Sequence, residues 1–288
     1  MTPSTSARAT VAPTARLPTA EPSDEVPTGL APPRRRPSVA LFLLGRVVNA
    51  LWPLALILVA WWAWVRLGHL PPAVAPDPSG VLTFIAHDPG SFALDALRTA
   101  GVVLGGLVVG AVAGALLATV SWFSRLARAV ISGPALLSQC LPVATISPVL
   151  AKVFGYNTTT IVIITALIAF FPVMVFTASG LARTPAGADD LFVVLGARRL
   201  DRFFRLAVPS ALPRLLVSLR VSIVVAVAGA MLAQWVMGTS GLGYRLIIAQ
   251  SSFRTSEAWA CSVVSIVLSV ILYSIVSGLC RLASERFE

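Results

Sequence analysis

Charged residues are scarce in this chain. Of its 288 residues only 12% are charged and 57% are apolar, whereas a typical soluble domain has about 25% charged residues. The mean hydropathy is +0.86. These values exclude a soluble domain and a disordered chain. Because the apolar runs are long and continuous rather than alternating, they predict an all-α polytopic membrane protein and not a barrel.

Residues that build nucleotide, metal or acid–base sites are also few. The single lysine, Lys152, follows an alanine, so the Gly-Lys pair of a phosphate-binding loop is absent. Three widely spaced cysteines and two distant histidines, His69 and His87, offer no metal-ligand spacing. We therefore expect no enzyme activity, cofactor or metal. Ion-coupled carriers usually place an ionisable residue within a span, and no long apolar run of this chain has one near its middle. A stand-alone secondary carrier is therefore disfavoured, and it is kept as an alternative.

The first 38 residues differ from the rest of the chain. They contain eight prolines with many Ser, Thr and Ala residues and no periodic apolar face. This composition predicts a disordered tail over residues 1–38, followed by a membrane domain over residues 39–288.

Six uncharged runs in the second region are each long enough to cross the ~30 Å hydrocarbon core as a helix. They cover residues 47–65, 99–124, 129–151, 153–182, 221–244 and 258–280. The sequence thus predicts six transmembrane helices, with both termini on the same side of the membrane.

Arginine is distributed unevenly between the two sides of this arrangement. The loops opposite the termini hold Lys152, Arg245 and Arg254, with Arg66 and Arg98 at span edges. On the side of the termini, fourteen arginines lie in the loops or near the ends of the spans: Arg34, Arg35, Arg36, Arg46, Arg125, Arg128, Arg183, Arg198, Arg199, Arg202, Arg205, Arg214, Arg281 and Arg286. The positive-inside rule then predicts cytoplasmic termini. It also accounts for the net charge of +10 without a nucleic-acid partner.

The loop between the fourth and fifth predicted spans, residues 183–213, has helical patterning of its own. Leu191, Val194 and Leu195 lie at helical spacing, and Gly196 interrupts the pattern. A second short helix is predicted over about 199–206, with prolines bracketing the return into the membrane. Patterning alone leaves three alternatives open: a helix lying on lipid headgroups, a packed connector, or a docking segment.

Two further groups of residues stand out within the spans. Gly106, Gly110 and Gly114 repeat at four-residue spacing, which predicts a close helix–helix contact. Gln139, Gln234 and Trp235 are the candidates for lining a translocation path, because polar side chains in spans face protein or water. The alternative for the two glutamines is a hydrogen bond to a neighbouring helix.

Gly196 is followed after nine residues by Leu206-Ala207-Val208-Pro209, and Asp190 lies six residues before the glycine. In this spacing the chain resembles the permease subunits of bacterial ABC importers of the binding-protein-dependent type, whose cytoplasmic loop signature has a glutamate at the position of Asp190. Further similarity to the sulfonate, taurine and nitrate subgroup lies in the segments Leu141-Pro142, Ile146-Ser147-Pro148, Phe154-Gly155, Phe170-Phe171-Pro172 and Ser240-Gly241-Leu242-Gly243-Tyr244. Gln234 stands where this subgroup often has an acidic residue.

The resemblance implies a transport function and a set of partners. A second permease copy would complete the solute pathway in the bacterial plasma membrane, separate ATPase subunits would bind the 183–213 loop, and an extracytoplasmic binding protein would deliver the solute. The implied solute classes are sulfonates, nitrate, and vitamin or pyrimidine precursors. The residues implied in ATPase coupling are Asp190, Phe192, Gly196, Phe203, Phe204, Leu206, Val208 and Pro209.

Overall fold

The computed structural model describes residues 52, 56–69, 71, 74–140, 143–185 and 187–285. Within these ranges the side chains of residues 132, 134–140 and 143 lie outside the description. The predicted tail, residues 1–38, also lies outside the described residues. Every regular element in the described ranges is a helix, as the composition predicts.

The helices follow one another with short connections. In chain order they are α1 (Leu56–Leu67), α2 (Pro78–His87), α3 (Pro89–Phe123), α4 (Arg125–Cys140), α5 (Val143–Phe154), α6 (Thr158–Leu181), α7 (Ala188–Val194), α8 (Arg199–Arg202), a π-helical turn (Phe203–Ala207), α9 (Val208–Met237), α10 (Leu242–Ser251) and α11 (Thr255–Ser284).

Four stretches in the described ranges are long and apolar enough to cross a membrane. They are Pro89–Phe123, Thr158–Leu181, Arg199–Met237 and Thr255–Ser284, and they contain or overlap four of the six predicted runs. The other two runs, 47–65 and 129–151, correspond to shorter described helices, α1 and the pair α4 and α5, with residues outside the description beside them. Six spans therefore remain a prediction.

Two of these helices begin well before the apolar runs that predict them. The structure starts α3 at Pro89, where the Asp88 side chain caps the helix by accepting the Ser91 N–H. Donation from the Ser91 hydroxyl, and then from its N–H, holds the pKa of Asp88 below its usual value. Likewise α9 starts at Val208 rather than 221. A charged residue ends an uncharged run in the sequence, but it does not end a helix, because the backbone hydrogen bonds of the helix continue through it.

The central contact of the fold is between α3 and α6. A Cβ added at Gly106 would stand 2.5 Å from Thr165 Cγ2, one at Gly110 2.5 Å from the Ala166 carbonyl oxygen, and one at Gly114 2.7 Å from the Phe170 oxygen. Such distances leave no room for a side chain. The three glycines therefore let the two backbones approach closely, as small residues do in membrane helix pairs.

Buried side chains form two clusters. The larger one joins α3, α6, α9, α10 and α11 and includes Phe92, Ile164, Ile223 and Leu242. The smaller one lies at the C-terminal ends of α3 and α6, and it consists of Ala118, Met174, Leu181, Phe203, Ala207 and Ala211. Because Phe203 and Ala207 belong to it, the smaller cluster fixes the 183–213 segment to the helical bundle.

A candidate coupling segment between α6 and α9

Helix α7 is closed at its end by a glycine in a left-handed conformation. Gly196 has φ +69°. Its N–H donates to the Val193 oxygen at 3.0 Å, and the Ala197 N–H donates to the Phe192 oxygen at 2.9 Å. These two bonds form the Schellman motif, in which the residue after the C-cap takes positive φ. An L side chain at Gly196 would be strained there, although no atom lies within 4 Å of the added Cβ.

An ion pair fastens α7 to α8. The Arg202 Nε donates to Asp189 Oδ1 at 3.0 Å, and its Nη2 donates to Asp189 Oδ2. This two-pronged geometry fixes orientation as well as distance. The two short helices therefore form one body across the turn at residues 195–198.

The segment packs against two aromatic rings at the C-terminal end of α3, those of Trp122 and Phe123. Phe203 is buried, with its ring centroid 5.2 Å from that of Trp122 and 4.9 Å from that of Phe123. The Arg199 guanidinium lies 5.6 Å from both of those ring centroids and donates to the Trp122 oxygen at 3.2 Å. The Trp122 indole in turn donates to the Leu181 oxygen at 3.1 Å, so α3, α6 and the segment meet at one tryptophan.

The expected second helix over 199–206 is not a separate element. It runs through the π-helical turn into α9, and Arg199–Met237 forms one continuous stretch of 39 residues. The Val208 N–H donates to the Phe203 oxygen, five residues back. Pro209 has no N–H, and its ring would clash with the carbonyl four residues earlier in a regular helix, so the wider turn accommodates it. Prolines at 209 and 213 therefore do not separate the two pieces.

The residues implied in coupling divide between two faces of the segment. Phe203 belongs to the smaller buried cluster, Leu206 is also buried, and Phe192 is half-buried. Gly196 is exposed at the end of α7, and so are the other four: Asp190, Phe204, Val208 and Pro209. Sequence patterning could not separate these faces, because Phe203 and Phe204 are adjacent and equally apolar.

Large apolar side chains cover the exposed face of α7 and α8. Val194 is 84% exposed and Leu195 72% exposed, and three more residues are also exposed: Leu191, Val193 and Leu200. Scattered exposed apolar residues are ordinary on lipid-facing spans, but this group sits on a connector with four charged residues among it: Asp189, Asp190, Arg198 and Arg199. A contiguous apolar patch with a polar rim is typical of a protein-binding surface.

Among the path candidates, Gln234 is buried inside the bundle. Its Oε1 accepts from the Thr99 hydroxyl at 3.0 Å and from the Gly243 N–H at 3.2 Å, and Thr99 Oγ1 accepts from the Leu242 N–H at 3.0 Å. Gln234 thus ties α3, α9 and α10 together, which is the neighbouring-helix alternative. Trp235 is partly exposed and donates to Gln250 Oε1 at 3.2 Å. The side chain of Gln139 lies outside the described part of the chain.

The turn before α10 fits against Gln234 only because it contains glycine. Gly241 has φ +95°, and a Cβ there would stand 2.5 Å from Gln234 Nε2. A Cβ at Gly243 would stand 2.4 Å from the Met231 oxygen. The Gly-Leu-Gly-Tyr turn therefore packs tightly against the end of α9, where only glycine fits at positions 241 and 243.

A charged cluster at the opposite end of α3 was not expected from the sequence. Arg245 Nε donates to Glu257 Oε1 at 2.8 Å, its Nη1 donates to the Ser91 hydroxyl at 2.7 Å, and its guanidinium carbon lies 3.8 Å from the Phe92 ring centroid. Asp95 Oδ2 is 3.4 Å from the same Nη1. The members of this cluster are up to 154 residues apart in the sequence. The one local signal for the Arg245–Glu257 pair is the position of Glu257, an acidic residue in the first turn of the apolar helix α11.

Comparison with known proteins agrees with this architecture. Residues 106–288, more than half of the chain, match the family model described as binding-protein-dependent transport system inner membrane component. The crystal structure of an amino acid ABC transporter with histidines superimposes with a TM-score of 0.57 and 18% identity, and it covers 71% of this chain and 97% of that one. At this identity the superposition establishes the fold alone.

Two curated relatives are similar in sequence. The formylaminopyrimidine transport permease protein ThiX of Halalkalibacterium halodurans is 37% identical over 163 residues, which is 56% of this chain and 61% of that protein. The riboflavin transport system permease protein RibX of Chloroflexus aurantiacus is 28% identical over 241 residues, 82% of this chain and 88% of that protein. With the family match and the fold, these similarities establish that the chain is a multi-pass membrane protein of the binding-protein-dependent ABC transporter permease family.

Proposed function

We propose that this chain is the membrane subunit of an ATP-driven importer, with six spans and both termini in the cytoplasm. Two copies form the solute pathway, separate ATPase subunits bind the 183–213 segment, and an extracytoplasmic binding protein supplies the solute. The family supports the transport class. The arginine asymmetry supports the orientation.

The observation that carries the proposal is the exposed apolar face of α7 and α8 on a body fastened to α9. Water-exposed apolar area is unfavourable until a partner covers it. A partner that moves α7 also moves α8 through the Asp189–Arg202 pair, and α8 continues through the π-helical turn into the membrane-spanning α9. Displacement by an ATPase is thereby converted into tilting of a span.

The eight coupling residues take two roles in this proposal. The exposed ones and Phe192 contact the ATPase, and Gly196 ends α7 so that its face is presented. Phe203 anchors the segment on Trp122 and Phe123, and the buried Leu206 adds to this anchor. Gln234 holds the inner wall of the pathway in shape through Thr99 and Gly243, and Trp235 is the better candidate for solute contact.

The solute class rests on the relatives' names. Because they are named for a formylaminopyrimidine and for riboflavin, we favour a vitamin or pyrimidine precursor. Sulfonates and nitrate are the other classes that the sequence resemblance implies.

The test is purification of the tagged chain from its host, followed by transport assays. We expect an ATPase to co-purify and the lone chain in liposomes to be inactive. Val194→Glu, on the α7 face, should abolish ATPase capture at unchanged membrane abundance. Leu67→Glu, at a comparably exposed position at the end of α1, is the matched control and should retain capture. Uptake by the lone chain without ATP would instead identify a secondary carrier.

A further inference from the structure

Two adjoining cavities lie beside the coupling segment, and they differ in chemistry. The first, of about 460 Å³, is almost wholly apolar and runs along α3 and α6 between Ala118, Met174 and Val175. The second, of about 510 Å³, is mainly polar and is lined by the α4 and α8 arginines. Trp122, Arg128 and Ala182 line both, so the two cavities lie side by side.

The polar cavity has a large excess of positive charge. Four guanidinium groups line it: those of Arg125, Arg128, Arg199 and Arg202. Asp189 is the one carboxylate among the described lining residues, and it already pairs with Arg202. A pocket with this charge attracts a phosphate-containing anion.

The position and shape of the two cavities select the kind of anion. Trp122, an amphipathic residue typical of the membrane interface, stands where they join. The apolar cavity extends from there along the spans, and the polar one extends toward the coupling segment. We propose that the pair is a binding site for an anionic phospholipid, with an acyl chain along α3 and α6 and the phosphate among the arginines. Basic pockets between transmembrane helices on the cytoplasmic side are known to take such headgroups.

A lipid in this site would act on the coupling segment directly. Arg199 and Arg202 hold α8 to Trp122 and to α7 respectively, and both line the polar cavity. A bound phosphate would bridge them to Arg125 and Arg128 on α4. The anionic lipid would then stiffen the joint through which α7 moves α9. The inference rests on the proposed function for its cytoplasmic orientation and for this consequence.

The first experiment measures lipid binding by the detergent-purified full-length permease alone. Native mass spectrometry compares retention of dioleoyl phosphatidylglycerol with that of dioleoyl phosphatidylcholine. We expect retained phosphatidylglycerol in clear preference, and a loss of roughly tenfold or more in Arg125→Gln/Arg128→Gln. Arg183→Gln/Arg198→Gln removes the same charge from the same side without touching the pocket. This control should bind like the parent. No preference in the parent, or an equal loss in the control, would overturn the site.

A second experiment separates a lipid from other occupants. Val175→Trp fills the apolar cavity and should lower phosphatidylglycerol retention, while excess glycerol phosphate should not displace the lipid. Efficient displacement, or unchanged retention in Val175→Trp, would mean a simple anion pocket. Cross-linking of Val175→Cys to a second copy in vesicles would mean a subunit contact. Either result would overturn the lipid assignment.

ATPase capture is measured in parallel on the same variants. A parent that prefers phosphatidylglycerol but captures no ATPase would leave the lipid site standing and overturn the proposed function. A parent that captures ATPase but shows no preference for phosphatidylglycerol would overturn the lipid site and leave the proposed function standing.

Discussion

Arg202 binds Asp189 through two of its guanidinium nitrogens, and this ion pair is the described side-chain link between α7 and the helix that leads into the membrane. The pair lies on a partly exposed connector, where ion pairs contribute only about 0.2–1 kcal/mol to stability. Its importance is therefore directional: it makes two short helices move together.

Breaking this pair should uncouple the transporter without unfolding it. Arg202→Gln is expected to leave membrane abundance and ATPase capture close to the parent, and to raise the ratio of ATP hydrolysed to solute imported. The measurement is that ratio in proteoliposomes that contain the complete transporter. Arg198→Gln, at the N-cap of α8 four residues earlier and with no described ion pair, is the control. An unchanged ratio in Arg202→Gln would show that the pair does not transmit movement.

Gly196 should tolerate only residues that accept positive φ. Gly196→Val places a β-branched side chain at φ +69°, where strain of this kind costs about 1–3 kcal/mol. ATPase capture should fall roughly five- to over a hundredfold if the docked state alone bears the strain. Gly196→Asn, a residue that enters the left-handed region more easily, should retain most of the capture. Equal capture by both variants, measured by pull-down at matched abundance, would refute a role for backbone conformation.

How far the sequence predicts this structure differs from one region to another. The length of the apolar runs located the long helices, because the thickness of the hydrocarbon core sets the length that a spanning helix needs. It misjudged where α3 and α9 begin, because the charged residues Asp95, Arg98 and Arg214 lie within these helices. Asp95 pairs with Arg98 on its own helix and with Arg245 of α10, and Arg214 donates to the Ser179 hydroxyl of α6. Arg245 and Glu257 illustrate the limit: their pairing depends on the approach of two elements that no local pattern specifies.

The candidate site shows the same limit. The spacing from Gly196 to Pro209 located the segment, and the glycine has the positive φ that a helix-ending position requires. Patterning could not show that Phe203 faces Trp122 while Phe204 faces outward, nor that α8 continues into α9. Both features depend on the π-helical turn, which accommodates Pro209. The sequence shows this proline, but a proline at this place is equally compatible with the start of a new helix.

Glycines in one helix should differ sharply in their tolerance of substitution. Gly110→Val drives a side chain into the Ala166 oxygen, 2.5 Å from the added Cβ, whereas nothing lies within 4 Å of a Cβ at Gly101. Overpacking of this kind costs typically 1–3 kcal/mol or more. We expect Gly110→Val to lower the amount of folded permease in the membrane and Gly101→Val to leave it unchanged. Quantitative blotting of membrane fractions checks this, and similar losses for both would contradict the packing assignment.

The proposed orientation can be checked with single cysteines. Gly80 and Arg199 are both exposed, at opposite ends of the proposed spans. In a background without the native cysteines, Gly80→Cys should react with a membrane-impermeant thiol reagent added to intact cells, and Arg199→Cys should react only after permeabilisation. The reversed pattern would invalidate the six-span arrangement with cytoplasmic termini.

Gln234 should matter for the integrity of the bundle before it matters for the solute. Gln234→Leu has a similar volume but leaves the Gly243 N–H and the Thr99 hydroxyl without their shared acceptor. A buried donor without a partner costs about 1–3 kcal/mol, so the thermal midpoint of the detergent-purified permease should fall. The matched substitution Gln250→Leu removes the partner of Trp235 at an exposed position and should leave the midpoint within error of the parent. If Gln234→Leu keeps the parent's midpoint but loses solute uptake, the glutamine contacts the solute and the structural role assigned to it is wrong.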